Sequence, residues 1–172
     1  MRLRLPGGVA AVLCAALTSV AAAEQRWLEV RALHSGESAT VRWEAGGQPD
    51  AGALAQLAHV LRDRRNGAEL DMDAALFDLL VDLAKAAGVE PRYEVISAYR
   101  SPETNAKLHA RSSGVSEKSL HMQGRAIDVR LRGVDTRRLA ELARGLKRGG
   151  VGYYPGDGFV HVDTGRVRHW DG

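Results

Sequence analysis

The sequence predicts an α+β domain. Three observations lead there: a paired alternating pattern over residues 27–45, two consecutive amphipathic stripes over 51–65 and 73–87, and short strand patterns at 93–97, 126–131 and 159–163 interleaved with further helical runs. At 172 residues the chain is one domain's worth, long enough to bury a core without covalent staples.

Residues 1–23 read as a segment apart from that domain. A short basic start with Arg2 and Arg4, an apolar run from Val9 to Leu17 and the small residues Ala21 to Ala23 form the three regions of a cleaved secretory signal. The apolar run is short for a membrane span, and an uncleaved anchor is the alternative. The only cysteine, Cys14, lies inside the run behind Leu13, which does not fit a lipid-attachment site. Residues 24–172 then hold no cysteine, so a metal there must be bound by histidine and carboxylate. Removing two of the 24 basic residues with the signal leaves 22 against 21 acidic ones. A near-neutral exported domain argues against a dominant nucleic-acid or membrane-surface role.

The domain opens with strand patterns from Trp27 to Leu33 and Ala39 to Ala45, joined by a Ser-Gly connection suited to a hairpin. Leu54, Leu57, Ala58 and Leu61 recur at helical spacing and predict a helix over 51–65. A second helix runs from Asp73, with Leu76, Leu79, Leu80 and Leu83 facing inward and Gly88 as its stop. A buried strand over 93–97 ends in Ala98-Tyr99-Arg100. Ser101 and Pro102 then start a helix, the one as N-cap and the other at the first helical position. A loop over 114–120 delivers His121, Gly124 allows a close turn, and 126–131 reads as a strand. A last helix from Asp135 buries Leu139, Leu142 and Leu146 and stops at Gly149 and Gly150, before the strand over 159–163.

The chemistry gathers on few residues. His121, Asp128 and His161 offer two imidazoles and a carboxylate, the kind of set that holds zinc in catalytic sites while leaving a position open. Asp128 sits among core-forming residues, which is costly unless it is paired or bound to metal. Period-two geometry puts Asp163 on the face of His161, as a general base or as the acceptor that orients the imidazole. Asp157 is a weaker candidate for the base. Arg100, held between a strand end and a helix start, suits a carboxylate or a developing oxyanion, with a surface ion pair as the alternative. His59, His109 and His169 lack ligand-spaced neighbours and read as solvated or structural.

Ser119-x-His121-x-x-Gly124-x-Ala126-x-Asp128 is similar at every fixed position to the motif of the zinc D-Ala-D-Ala carboxypeptidases, within the lysostaphin, carboxypeptidase and hedgehog superfamily. Segments 97–105, 149–154 and 159–165 extend the likeness, and from Leu28 to Trp170 the chain resembles the murein endopeptidase K branch. The resemblance implies a central antiparallel sheet carrying zinc and flanked by helices. It implies a periplasmic zinc metallopeptidase that cuts peptide cross-links of peptidoglycan, D-Ala–meso-diaminopimelate, meso-diaminopimelate–meso-diaminopimelate, or both. His121, Asp128 and His161 are the implied metal ligands and Arg100 the implied polarising residue. Cross-link peptides carry carboxylates that Arg100, Arg125 or Arg130 are placed to anchor. The chain departs from its cousins in one respect. Carboxypeptidase relatives place an acid three residues before the last histidine, and lysostaphin relatives a histidine two before it; here Gly158 and Phe159 stand there. Two other readings follow, a carboxypeptidase trimming a terminal D-amino acid and a non-catalytic zinc module that binds the wall.

Overall fold

The computed structural model describes residues 25–44, 46–112 and 114–172; the expected signal segment 1–23 lies outside them. Seven strands form one sheet: β1 (Gln25–Ala32), β2 (Ser38–Glu44), β3 (Arg92–Ser97), β4 (Ala126–Leu131), β5 (Gly150–Tyr154), β6 (Phe159–Asp163) and β7 (Arg168–Asp171), in the order β2-β1-β3-β4-β6-β5-β7. The helices are α1 (Ala51–Val60), α2 (Ala74–Ala87), α3 (Pro102–His109) and α4 (Thr136–Leu146), and a single 3-10 turn spans Leu120–Gln123. No helix among the described residues is long and apolar enough to cross a membrane.

The α+β class holds, but the sheet is mixed rather than antiparallel. Its centre, β3-β4-β6-β5, is antiparallel, while β1 pairs β3 in parallel and β5 pairs β7 in parallel. Two helices separate the hairpin from β3, so the chain returns in the direction of β1, as a crossover requires. At the other edge the chain leaves β6 and docks β7 on the far side of β5. Neither β5 nor β7 was expected, because Gly150-Val-Gly and the short Arg168–Asp171 run lack an alternating apolar signal.

The helix starts follow the capping residues. Asp50, Asp73, Ser101 and Asp135 each accept a backbone N–H of the following first turn, and Gly88 closes α2 in the left-handed conformation at φ 73°. The first helix is shorter than its apolar spacing suggests. It stops at Val60, and Asp63, 1 % exposed, turns inward to accept the Ser101 N–H at 2.9 Å and its hydroxyl at 2.7 Å. A polar buried partner 38 residues away thus overrides the helical period.

Leu28 and Val30 of β1, Ile127, Val129 and Leu131 of β4, and Val160 and Val162 of β6 are buried with Leu76, Phe77 and Leu80 of α2 and Leu139 of α4. Alternation sends Asp128 and His161 to the face opposite these apolar residues. The sheet therefore has one face given to the core and one face, at its centre, given to polar chemistry.

Candidate metal centre

Asp128 and His161 face each other directly across the β4–β6 ladder, and Ser97 of β3 pairs Asp128 from the other side. Opposed residues in such a pair bring their Cβ atoms within about 5 Å, so strand register alone delivers two of the three groups. His121 arrives from the 3-10 turn. Ser119 caps that turn and Gly124 ends it at φ 65°, packed so closely on Asp71 that a Cβ there would come within 2.8 Å of its carbonyl. His121 Nε2 lies 3.2 Å from His161 Nδ1 and 3.4 Å from Asp128 Oδ1, and His161 Nδ1 lies 2.8 Å from the same carboxylate oxygen. All three residues are buried and form the metal-competent group among the described residues.

Each imidazole is held by its other nitrogen. His121 Nδ1 is 2.7 Å from the Ala98 carbonyl, and His161 Nε2 is 3.0 Å from Asp163 Oδ2. Such outer contacts fix which ring nitrogen faces the ligand position. Asp163 is fully buried, and its acceptors are taken: Oδ1 by the N–H groups of Gly150 and Gly165, and both oxygens by the Arg168 guanidinium.

The electrostatics match this wiring. Burial pushes the Asp163 carboxyl up, but the hydrogen bonds from His161, Arg168, Gly150 and Gly165 outweigh it and hold the group well below the usual carboxylate range. Burial likewise works against ionised Asp128, and the two imidazoles reverse it. For His161 burial favours the neutral ring, yet the bonds to Asp128 and Asp163 raise it to about 9 in the metal-free protein.

The three groups open onto a cleft of about 450 Å³. Ser112, Gly114 to Ser116, Lys118 and Ser119 make one wall; Tyr154, Phe159 and Trp170 line it as well. Arg100 lines the cleft with its Nε buried and without a partner, while its Nη1 donates to Asn105 Oδ1 at 3.3 Å. Burial lowers the Arg100 pKa, and the charge of Asp128 is the strongest influence opposing that. Asp128 and Asp157 are the carboxylates on the cleft wall. Arg125 and Arg130, which the sequence offered as anchors, are spent elsewhere: Arg125 donates to Thr164, and Arg130 to the carbonyls of Gly158 and Asp157. His59, His109 and His169 are exposed and lie outside the cluster, His59 beside Glu69 and His109 beside Glu117.

The model of the family described as peptidoglycan L,D-endopeptidase MepK matches residues 20–170. The chain belongs to this family. It is 38% identical to the peptidoglycan L,D-endopeptidase MepK of Escherichia coli K12 over 163 residues, which covers 95% of this chain and 90% of that one. To the probable peptidoglycan L,D-endopeptidase MepK of Haemophilus influenzae it is 35% identical over 166 residues, 96% of this chain and 89% of the relative. No solved structure matches. The matched residues 20–170 take in every described strand and helix except the last residue of β7, and all the cleft-lining residues.

Tyr154 and Trp170 are among the cleft residues to which the sequence reading assigned no role. The available signal was the spacing of Gly150 and Gly152. Glycines two apart on a strand leave one face bare, and here that face receives Arg168 and Trp170 from β7.

Proposed function

We propose that this chain is an exported zinc endopeptidase that hydrolyses peptide cross-links of peptidoglycan, with residues 1–23 as a cleaved signal and 24–172 as the mature periplasmic domain. The observation that carries the reading is the buried His121–Asp128–His161 cluster at the floor of the cleft, in a member of a peptidoglycan endopeptidase family. Zinc suits the donors. Ligand atoms on a tetrahedral ion with bonds of ~2.0–2.1 Å stand ~3.3 Å apart; the distances from His121 Nε2 to its two neighbours are 3.2 and 3.4 Å, and the third edge, closed by the His161–Asp128 hydrogen bond, is 2.8 Å. The absence of thiolate and the outer contacts on both rings favour the same assignment.

The names of the relatives specify an L,D bond. Of the two cross-links considered, the meso-diaminopimelate–meso-diaminopimelate link joins an L centre to a D centre, whereas D-Ala–meso-diaminopimelate joins two D centres. The former is therefore the preferred substrate in this reading.

When bound, zinc supplies Lewis-acid chemistry, polarising a carbonyl and acidifying water. Arg100, on the cleft wall, is the cation assigned to the oxyanion that develops on the scissile carbonyl. Asp163 holds His161 in the tautomer that presents Nδ1 and has no free acceptor for a further proton. Asp157, on the cleft wall and without an ion-pair partner among the described residues, is the group assigned to take the proton of the attacking water.

The test is mass spectrometry of purified muropeptide dimers carrying each type of cross-link, incubated with the mature protein with and without chelator and with the His121→Ala variant. The reading predicts conversion of the L,D-linked dimer to monomers only with metal and intact His121. Intact dimers alongside bound metal would overturn it, and release of one terminal D-amino acid from monomers would reassign the chain as a carboxypeptidase.

A further inference from the structure

Tyr154 stands at the end of β5, paired with Phe159 of β6, and lines the cleft with the three metal-competent residues and Arg100. Its ring is held on several sides. It stacks on Phe159 with centroids 4.6 Å apart and planes at 18°, and Gly172 packs so closely that a Cβ there would overlap the ring. The phenol oxygen accepts the Trp170 indole N–H at 2.9 Å.

Trp170 is no freer. Its ring lies 5.3 Å from that of His161, the Arg168 guanidinium covers it at 5.1 Å, and Gly152 lets it in, since a Cβ at that position would come within 2.6 Å of the indole. Indole N–H is a donor only, so it fills an acceptor site on the Tyr154 oxygen and leaves the phenol hydrogen unused. No acceptor among the described residues takes that hydrogen. The oxygen also stands within electrostatic reach of Arg100.

A hydroxyl whose position is fixed by two neighbouring rings, whose proton is uncommitted and which lines a cleft shared with three metal-competent residues is a preorganised donor. We infer that Tyr154 is a catalytic residue whose O–H donates, together with Arg100, to the oxyanion formed on the scissile carbonyl. This rests on the peptidase reading above and adds a neutral donor to its cationic one. A neutral phenol offers less to a resting carbonyl than to an oxyanion, so its contribution falls on turnover rather than on substrate binding. Removal of one such donor lowers kcat by about 10²–10³-fold.

The experiment measures steady-state cleavage of the L,D-linked dimer by the parent protein, Tyr154→Phe and Trp170→Phe, with metal content measured for each. The same three proteins are titrated with a phosphinate pseudopeptide, a tetrahedral mimic, and with the cleaved monomer. Tyr154→Phe keeps the stacked ring, so it is expected to retain one metal per chain and near-parent KM and monomer affinity. It loses kcat and phosphinate affinity in parallel, each about 10²-fold. Trp170→Phe, which frees the phenol without deleting it, loses less of both. Unchanged kcat in Tyr154→Phe overturns the assignment, as does a loss confined to KM, which would make the residue a ground-state anchor. A kcat loss accompanied by metal loss also overturns it, by showing a structural role. If the parent protein cuts no dimer, the peptidase reading falls and this assignment falls with it; an active parent with an unaffected variant removes the assignment alone.

Discussion

Asp163 Oδ2 lies 3.0 Å from Nε2 of His161, on the side of the ring opposite Asp128, whose Oδ1 is 2.8 Å from Nδ1. One imidazole is thus gripped at both nitrogens, and only the Asp128 side opens onto the cleft. The carboxylate that strand alternation placed beside the metal position is beneath the ring, not in front of it.

Asp163→Asn is expected to weaken metal binding about 10–100-fold, the range for loss of a partner that orients a ligand. Competition with a chromogenic chelator measures this. Activity should return at saturating metal, since the asparagine oxygen can still accept from the ring. Activity that stays lost with the site full would restore Asp163 as the base.

Asp157→Asn should behave in the opposite way. Metal affinity remains near the parent value, because Asp157 is not in the ligand group, while kcat falls by about 10²–10⁴-fold, the usual contribution of a positioned base. Side-by-side metal titration and turnover assays of the two variants separate the roles.

Arg100→Lys keeps a charge but loses the planar fork that spans Asn105 and the cleft. A kcat loss of about 10²-fold is expected with folding intact. A loss seen mainly in KM would show that Arg100 anchors a substrate carboxylate instead.

The metal-free protein should lose stability in alkaline solution. His161 is raised from its ordinary 6.5 to about 9 in the folded state, so its contribution is complete below about pH 6.5 and disappears as pH rises through about 9. Asp128 and Asp163 are lowered, so theirs is present above the ordinary carboxylate range and fades on acidification. Thermal unfolding of the apo form from pH 6 to 10 should show a fall in Tm that is absent in His161→Gln. Zinc binding must expel the His161 proton, so apparent affinity should also climb with pH across this window.

Gly149→Ala tests the packing beneath the site. A Cβ at Gly149 would overlap the backbone carbonyl of Asp163, and neither main chain is free to yield. A loss of about 1–3 kcal/mol, the scale of overpacking, is expected in chemical denaturation. The same substitution at Gly145, where nothing lies within 4 Å, serves as the control with no such clash.

The chain's linear order was enough to bring the candidate ligands together. The Ser119-to-Asp128 motif and the alternation of Phe159–Asp163 are local properties, so the metal-competent triad, the helix caps and the faces of β4 and β6 were legible without coordinates. Arg100 was legible for the same reason, from a strand end followed by Ser101 and Pro102. The mixed sheet was not, because parallel pairing is decided by where crossovers return the chain and leaves no periodic trace. Nor was the inward turn of Asp63, whose helical spacing yielded to a bond with Ser101, nor the filling of Asp163 by Gly150, Gly165 and Arg168. Trp170 enters the cleft on β7, a four-residue strand with no apolar pattern of its own, and meets Tyr154 at the end of β5. Period and capping are written in neighbours along the chain. The direction of a carboxylate, the occupancy of its lone pairs and the partner of a phenol depend on residues far apart in sequence, and only folding brings those together.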